Sequence, residues 1–243
     1  MSSAATIAIP AEGMPLPIHA LGRDWSQSAT SQDAPTVFIV DDDLYIRQSL
    51  EALIRSQGWQ VQSCGSAREF LGLTRPIAPS CLILAFSSTD SNGLEIQRRI
   101  ARKCAEIPII ITADFGDIPT TVQAMRAGAI DFLMKPFSAE LLVAAIHHSL
   151  ARSRASLDRG MEMRELRNCY ASLTPREQQV MALVATGLLN KQVGGELGIS
   201  EITVKAHRGQ VMQKMRASSF ANLVNMASRL RLTRSLTPNT VSA

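Results

Sequence analysis

The sequence predicts an α/β front half, a doubly wound sheet of five parallel strands, followed by an all-α four-helix portion at the C-terminal end. Three observations carry this. Between Thr36 and about residue 150, short apolar runs of strand length alternate with segments whose apolar residues recur at helical spacing. From Leu173 the alternation stops and only helical periodicity remains. The charge changes sign with the pattern: residues 1–150 hold 11 Lys+Arg and 15 Asp+Glu, a net −4, whereas residues 151–243 hold 14 and 6, a net +8.

Taken in order, residues 1–34 combine Pro10, Pro15 and Pro17 with many Ser, Ala and Thr and no sustained period. They are expected to form a disordered extension. Val37–Val40 reads as a buried strand that ends at Asp41-Asp42-Asp43, and Ile46, Leu50, Leu53 and Ile54 mark a helix over 44–57 that Gly58 stops. Strands follow at Trp59–Ser63, Cys81–Leu84, Pro108–Thr112 and Ile130–Met134, with helices at 94–104, 119–127 and 138–153. In such a sheet the working site lies beyond the carboxyl ends of the strands. The front domain is placed at 35–150, and residues 151–170 are polar and helix-prone, a linker helix with Leu150, Leu157 and Met161 on one stripe. The back domain is placed at 171–234. Its first helix opens on Thr174-Pro175-Arg176-Glu177, a capping box with Pro at the first helical position. A short helix over 190–197, the turn Gly198-Ile199-Ser200, a helix capped by Ser200 and running to about Met215, and a last helix over 219–230 complete it. Residues 235–243 are expected to be a flexible tail.

Composition excludes several classes. With 46% hydrophobic residues and no short period the chain is neither fibrous nor wholly disordered. No apolar run approaches the roughly 18 residues of a membrane span, and the N-terminus lacks the basic and apolar regions of a signal peptide, so a cytosolic location without membrane contact is expected. Cys64, Cys81, Cys104 and Cys169 are widely spaced, without metal-site spacing.

Residues 36–150 resemble the receiver domain of bacterial two-component response regulators, a flavodoxin-like fold. The resemblance rests on Ile39-Val40-Asp41-Asp42, Gly93-Leu94-Glu95, Ile109-Ile110-Ile111-Thr112-Ala113, Ala124 to Phe132, and Lys135-Pro136-Phe137. It implies phosphoryl transfer onto an aspartate at the end of the third strand. An acidic pair there helps hold Mg²⁺, a hydroxyl contacts the phosphoryl group and a lysine neutralises it. The acidic pair falls on Asp41 and Asp42, the hydroxyl on Thr112 and the lysine on Lys135; Thr112 and Phe132 match the family's switch pair. The acceptor stands eight residues before the glycine matched by Gly93, which places Ala85 there. A methyl group neither attacks phosphorus nor binds a metal, so the phosphorylation site is expected to be degenerate. The loop Phe86-Ser87-Ser88-Thr89-Asp90 also departs from the family; Asp90 as a substitute acceptor breaks the Gly93 register. Asp41 and Asp42 have two readings, a residual Mg²⁺ site or a charge partner for Lys135, and the second is preferred. No other cofactor is expected. An enzyme built on the two aspartates would lack a nucleophile.

Residues 173–232 resemble the LuxR/FixJ-type helix-turn-helix domain, through Leu173 to Glu177, Gly187-Leu188, Asn190-Lys191, Leu197 to Ser200, and Thr203-Val204-Lys205-Ala206-His207-Arg208. The resemblance implies a third helix that enters the major groove of double-stranded DNA. Helical geometry agrees. With Val204 inward, Val211 and Met215 are inward too, and Ile202, Ala206, Gly209 and Gln213 face outward. Lys205 and Gln210 flank a small centre of Ala206 and Gly209 that can lie close to base edges, with Ala206 suited to a thymine methyl. Thr203, His207 and Lys214 line one flank suited to phosphates, Arg208 would extend sideways to a phosphate, and Lys191 stands at a helix N-terminus. Gly194, Gly195 and Gly209 depart from good helix formers, with Gly194 suited to a close helix approach.

The function expected is that of a sequence-specific transcriptional regulator. Its receiver-like domain would work without Asp phosphorylation, as a homodimerisation platform over about 119–148 matched to a palindromic operator, or as a dock for a sensor kinase or another regulator. The alternative is a protein-interaction module with weak or secondary DNA binding.

Overall fold

A computed structural model describes residues 34–86, 93–114, 116 and 118–232. The expectations for all but the last residue of the extension 1–34, for the tail 235–243 and for Ser87, Ser88, Thr89 and Asp90 lie outside these residues. The chain divides into two compact units, Met1–Asp158 and Arg159–Ala243.

In the first unit, strands β1 (Thr36–Val40), β2 (Gln60–Cys64), β3 (Ser80–Phe86), β4 (Ile109–Ala113) and β5 (Ala129–Met134) form one sheet in the order β2-β1-β3-β4-β5. All neighbouring pairs are parallel. The central strands are buried on both faces, which is why they read as unbroken apolar runs. Val37, Ile39, Cys81, Ile83 and Ile110 pack on one side with Leu50 and Ile54 of α1 (Leu44–Ser56) and Leu142, Ile146 and Leu150 of α5 (Ala139–Ala171). Phe38, Leu82, Leu84, Ile109 and Ile111 pack on the other with Phe70 of α2 (Ala67–Gly72), Ile100 of α3 (Gly93–Lys103) and Ala124 of α4 (Ile118–Arg126). The strand order reverses between β1 and β3, so a crevice opens above their carboxyl ends.

Three features differ from the sequence reading. Helix α2 was not expected. Ser66 Oγ accepts from the Glu69 N–H at 3.3 Å and caps it, while Glu69 Oε2 accepts from the Gly65 N–H at 3.0 Å, one residue before the cap. And the segments read as a last front-half helix and a separate linker form one continuous 33-residue helix, α5. Strand β2 starts one residue later than expected and leaves Trp59 in the core.

The second unit holds the end of α5 with α6 (Pro175–Ala185), α7 (Asn190–Leu197), α8 (Glu201–Lys214) and α9 (Phe220–Arg229). Its core gathers Leu166 and Leu173 with Val180, Met181, Val184, Val193, Val204, Val211, Met215, Leu223 and Ala227. Val204, Val211 and Met215 supply the inward face of α8, at the spacing expected.

Candidate functional sites at the strand ends and on helix α8

At the carboxyl edge of the sheet, Asp41 follows β1 and is buried. Its Oδ1 accepts the Asp43 N–H at 2.9 Å and its Oδ2 accepts from Lys135 Nζ at 3.3 Å. Lys135 also lies 3.6 Å from Asp114, a partner that follows the end of β4. Burial pushes the Asp41 carboxyl above its usual range, opposed by the Asp43 N–H and the Lys135 charge. Lys135 therefore pairs with Asp41, while Asp42 is exposed. Ala85 stands on β3 in register with Thr112 of β4. Thr112 is 1% exposed, and its hydroxyl finds no partner among the described residues. Asp41, Asp42 and Ala85 line a cleft of about 710 Å³, with Arg68 and Arg99 at its exposed rim and Phe86 against Gly93 in its wall. Among the described residues no group of three or more His, Cys, Asp or Glu side chains is placed to hold a metal. Mg²⁺ demands an octahedral set of oxygens. Two aspartates, one already engaged on both oxygens, and a methyl group do not fit it.

The second unit builds a turn between two helices from its own local chemistry. Gly198 takes φ +65, and the Ile199 N–H returns to the Gly194 carbonyl at 3.0 Å. A Cβ on Gly194 would stand 2.7 Å from the Ile199 carbonyl oxygen, so only glycine fits this approach, as expected from its position. Ser200 Oγ accepts from the Thr203 N–H at 3.1 Å and caps α8. Arg176 anchors the turn from α6 by donating to the Leu197 carbonyl at 2.5 Å.

Along α8, Thr203, Lys205, Ala206, Gly209 and Gln210 are exposed, and His207 is half-buried. The Thr203 hydroxyl bonds Ser200 Oγ at 2.8 Å, which places it in the cap. Lys191, in the first turn of α7, is exposed, and neither it nor Lys205 has a charge partner among the described residues. Two residues are committed elsewhere than expected. Lys214, read as lining the phosphate flank, donates to both oxygens of the buried Glu177, at 2.7 and 3.0 Å. Arg208 donates to Asn190 Oδ1 at 3.2 Å and covers the Phe220 ring at 4.3 Å, so it ties α8 to α7 and α9. Both partners lie far along the chain, which is why neither pairing was visible in local spacing. Ile202, which faces outward as helical geometry predicts, is 82% exposed.

A five-stranded parallel receiver sheet joined to a helix-turn-helix unit defines a two-component response regulator with a DNA-binding output. Comparison with known proteins agrees. The model of the response regulator receiver domain matches residues 37–147, and that of bacterial regulatory proteins of the luxR family matches residues 171–227. The nodulation protein W of Bradyrhizobium diazoefficiens is 45% identical over 220 residues, covering 89% of this chain and 97% of that protein. The response regulator protein TmoT of Ectopseudomonas mendocina is 43% identical over 211 residues, covering 87% and 94%. The solved structure of the response regulator StyR superposes with a TM-score of 0.70 at 43% identity, covering 81% of this chain and 99% of that one. The chain belongs to the LuxR/FixJ-type response regulators: it is a DNA-binding transcriptional regulator with a receiver domain. No described helix is long and apolar enough to cross a membrane.

Proposed function

We propose that this regulator reads its DNA sites through α8 while its receiver works without an aspartyl phosphate. The observation that carries the second half is Ala85, in register with Thr112 beside Asp41 and Lys135, where the family's nucleophile belongs. With no carboxylate there, no acyl phosphate forms at that position, and the Lys135–Asp41 pair serves the fold.

On the DNA side, Lys205 and Gln210 reach base edges around the small centre of Ala206 and Gly209, and Thr203, His207 and Lys191 serve phosphates. Arg208 and Lys214 act by positioning α8. A cytosolic protein is the matching location. The receiver's contribution is pairing: Ile118, Val122 and Met125 form an exposed apolar stripe on α4, joined by Met134 at the end of β5 and Leu141 on α5. A homodimer built on that face presents two copies of α8 to a palindromic site. The same stripe supports a second reading, docking of a sensor kinase or another regulator.

A gel-shift titration with genomic duplexes at several salt concentrations tests the DNA reading. Specific binding that weakens with salt is expected, because neutralised phosphates release counterions, and Lys205→Ala is expected to reduce discrimination between sites. Binding by Lys205→Ala with wild-type discrimination, or wild-type binding indifferent to sequence, contradicts it.

A further inference from the structure

The outward stripe of α8 runs Ile202, Ala206, Gly209, Gln213. Ala206 and Gly209 offer nothing longer than a methyl group, so Ile202 is the large apolar side chain standing above a flat helix surface, 82% exposed in the first turn. Among the described residues of the unit nothing accounts for it. Val204, Val211 and Met215 fill the core from the opposite face, the cap belongs to Ser200, and isoleucine is a middling helix former. The first turn of a reading helix is the part whose side chains reach base edges. Along the major groove the apolar feature offered by a base is the thymine C5-methyl group; the other edges present donors and acceptors that an aliphatic side chain would strip of water without replacing their hydrogen bonds.

We infer that Ile202 is a specificity-determining residue that reads a thymine through its C5-methyl group. The inference rests on the reading of α8 as the groove helix. Ala206 lies four residues further on, about 6 Å along the axis. Ile202 therefore reads a different base pair from Ala206, one or two steps away, and its longer side chain spans the distance that Ala206 covers only by close helix approach. The contact is selective by exclusion. Guanine, cytosine or adenine at that place puts a polar edge against a branched hydrocarbon.

The test begins with the full chain and a randomised duplex pool of about 20 base pairs, two helical turns. The preferred duplex is then remade with each thymine replaced singly by uracil, which lacks only the methyl group, and affinities are measured by fluorescence anisotropy at fixed salt for wild type and Ile202→Ala. Loss of one buried methyl contact corresponds to about three- to fivefold in affinity. The expected result is one position per half-site where uracil weakens wild-type binding by that factor while Ile202→Ala binds the thymine and uracil duplexes equally, with sensitivities elsewhere retained. Uracil sensitivities identical in the two proteins at every position overturn the inference, as does a loss of affinity in Ile202→Ala that is uniform across all duplexes, which would assign the residue to the sugar–phosphate backbone. Failure of the DNA reading is distinguishable, because then no duplex is enriched from the pool by the wild-type chain, and the inference falls with it. Thermal unfolding of Ile202→Ala, expected to match wild type because the side chain lies on the surface, separates loss of contact from loss of fold.

Discussion

Glu177 carries more of the second unit than its place on a polar first turn indicates. Its carboxylate accepts the Thr174 N–H at 2.8 Å, closing the cap of α6, and takes the Lys214 ammonium at 2.7 Å, fastening the end of α8. The Lys214 hydrogen bond, then the Thr174 N–H, hold its carboxyl below the usual glutamate range. A carboxyl depressed in the folded state adds stability above its unfolded value, about 4.3, and that contribution is lost as pH falls through the lower folded value. Thermal unfolding of the full chain between pH 7 and pH 3, followed by circular dichroism, is expected to show wild type losing stability more steeply below about pH 4 than Glu177→Gln, which is already weaker at pH 7. Parallel pH profiles would refute this role. The capping box of Thr174 and Glu177 was legible, because it needs only four consecutive residues. The partner of Glu177 was not: Lys214 was read by helical angle as free to meet phosphate, and an angle says nothing about a carboxylate brought in from another helix. Arg208 misled for the same reason, since Asn190 and Phe220 reach it only after the helices pack.

Between elements, Gly194, Gly195 and Gly209 divide by what surrounds them. Gly194 faces the Ile199 carbonyl at a distance no Cβ tolerates, whereas Gly195 and Gly209 have open space around the missing Cβ. Gly194→Ala is expected to destabilise the unit by about 1–3 kcal/mol through overpacking, and Gly195→Ala to stabilise it by about 0.5–1 kcal/mol through helix propensity. Chemical denaturation of the two variants gives the signs, and equal effects would contradict the close α7–turn contact. The elements themselves were legible where periodicity had length to work with: the five strands, four of them apolar, and the four helices of the second unit all stand near their expected bounds. Helix α2 escaped because six residues hold a single buried apolar side chain, Phe70, and one residue makes no period, although Ser66 and Glu69 advertised its start. The long α5 was divided because its face changes partners, from Leu142, Ile146 and Leu150 in the first unit's core to Leu166 in the second's. A helix whose apolar stripe shifts reads in sequence as two.

At the scale of the molecule, an acidic front half and a basic helical C-terminal portion are joined in one chain, and the proposed function assigns pairing to the first and DNA to the second. Ile118, Val122 and Met125 recur at helical spacing on α4 and are exposed, and the proposed pairing places them in its interface. Light scattering of the full chain is expected to give the mass of two chains for wild type and of one for Val122→Glu, and equal masses would remove this face from the pairing. The measurement that bears most directly on the account joins chemistry to output: intact mass and duplex affinity of the same sample, before and after incubation with acetyl phosphate and Mg²⁺. An unmodified mass and an unchanged Kd are expected, because Ala85 offers no nucleophile. A stoichiometric acyl phosphate accompanied by tighter DNA binding would contradict it.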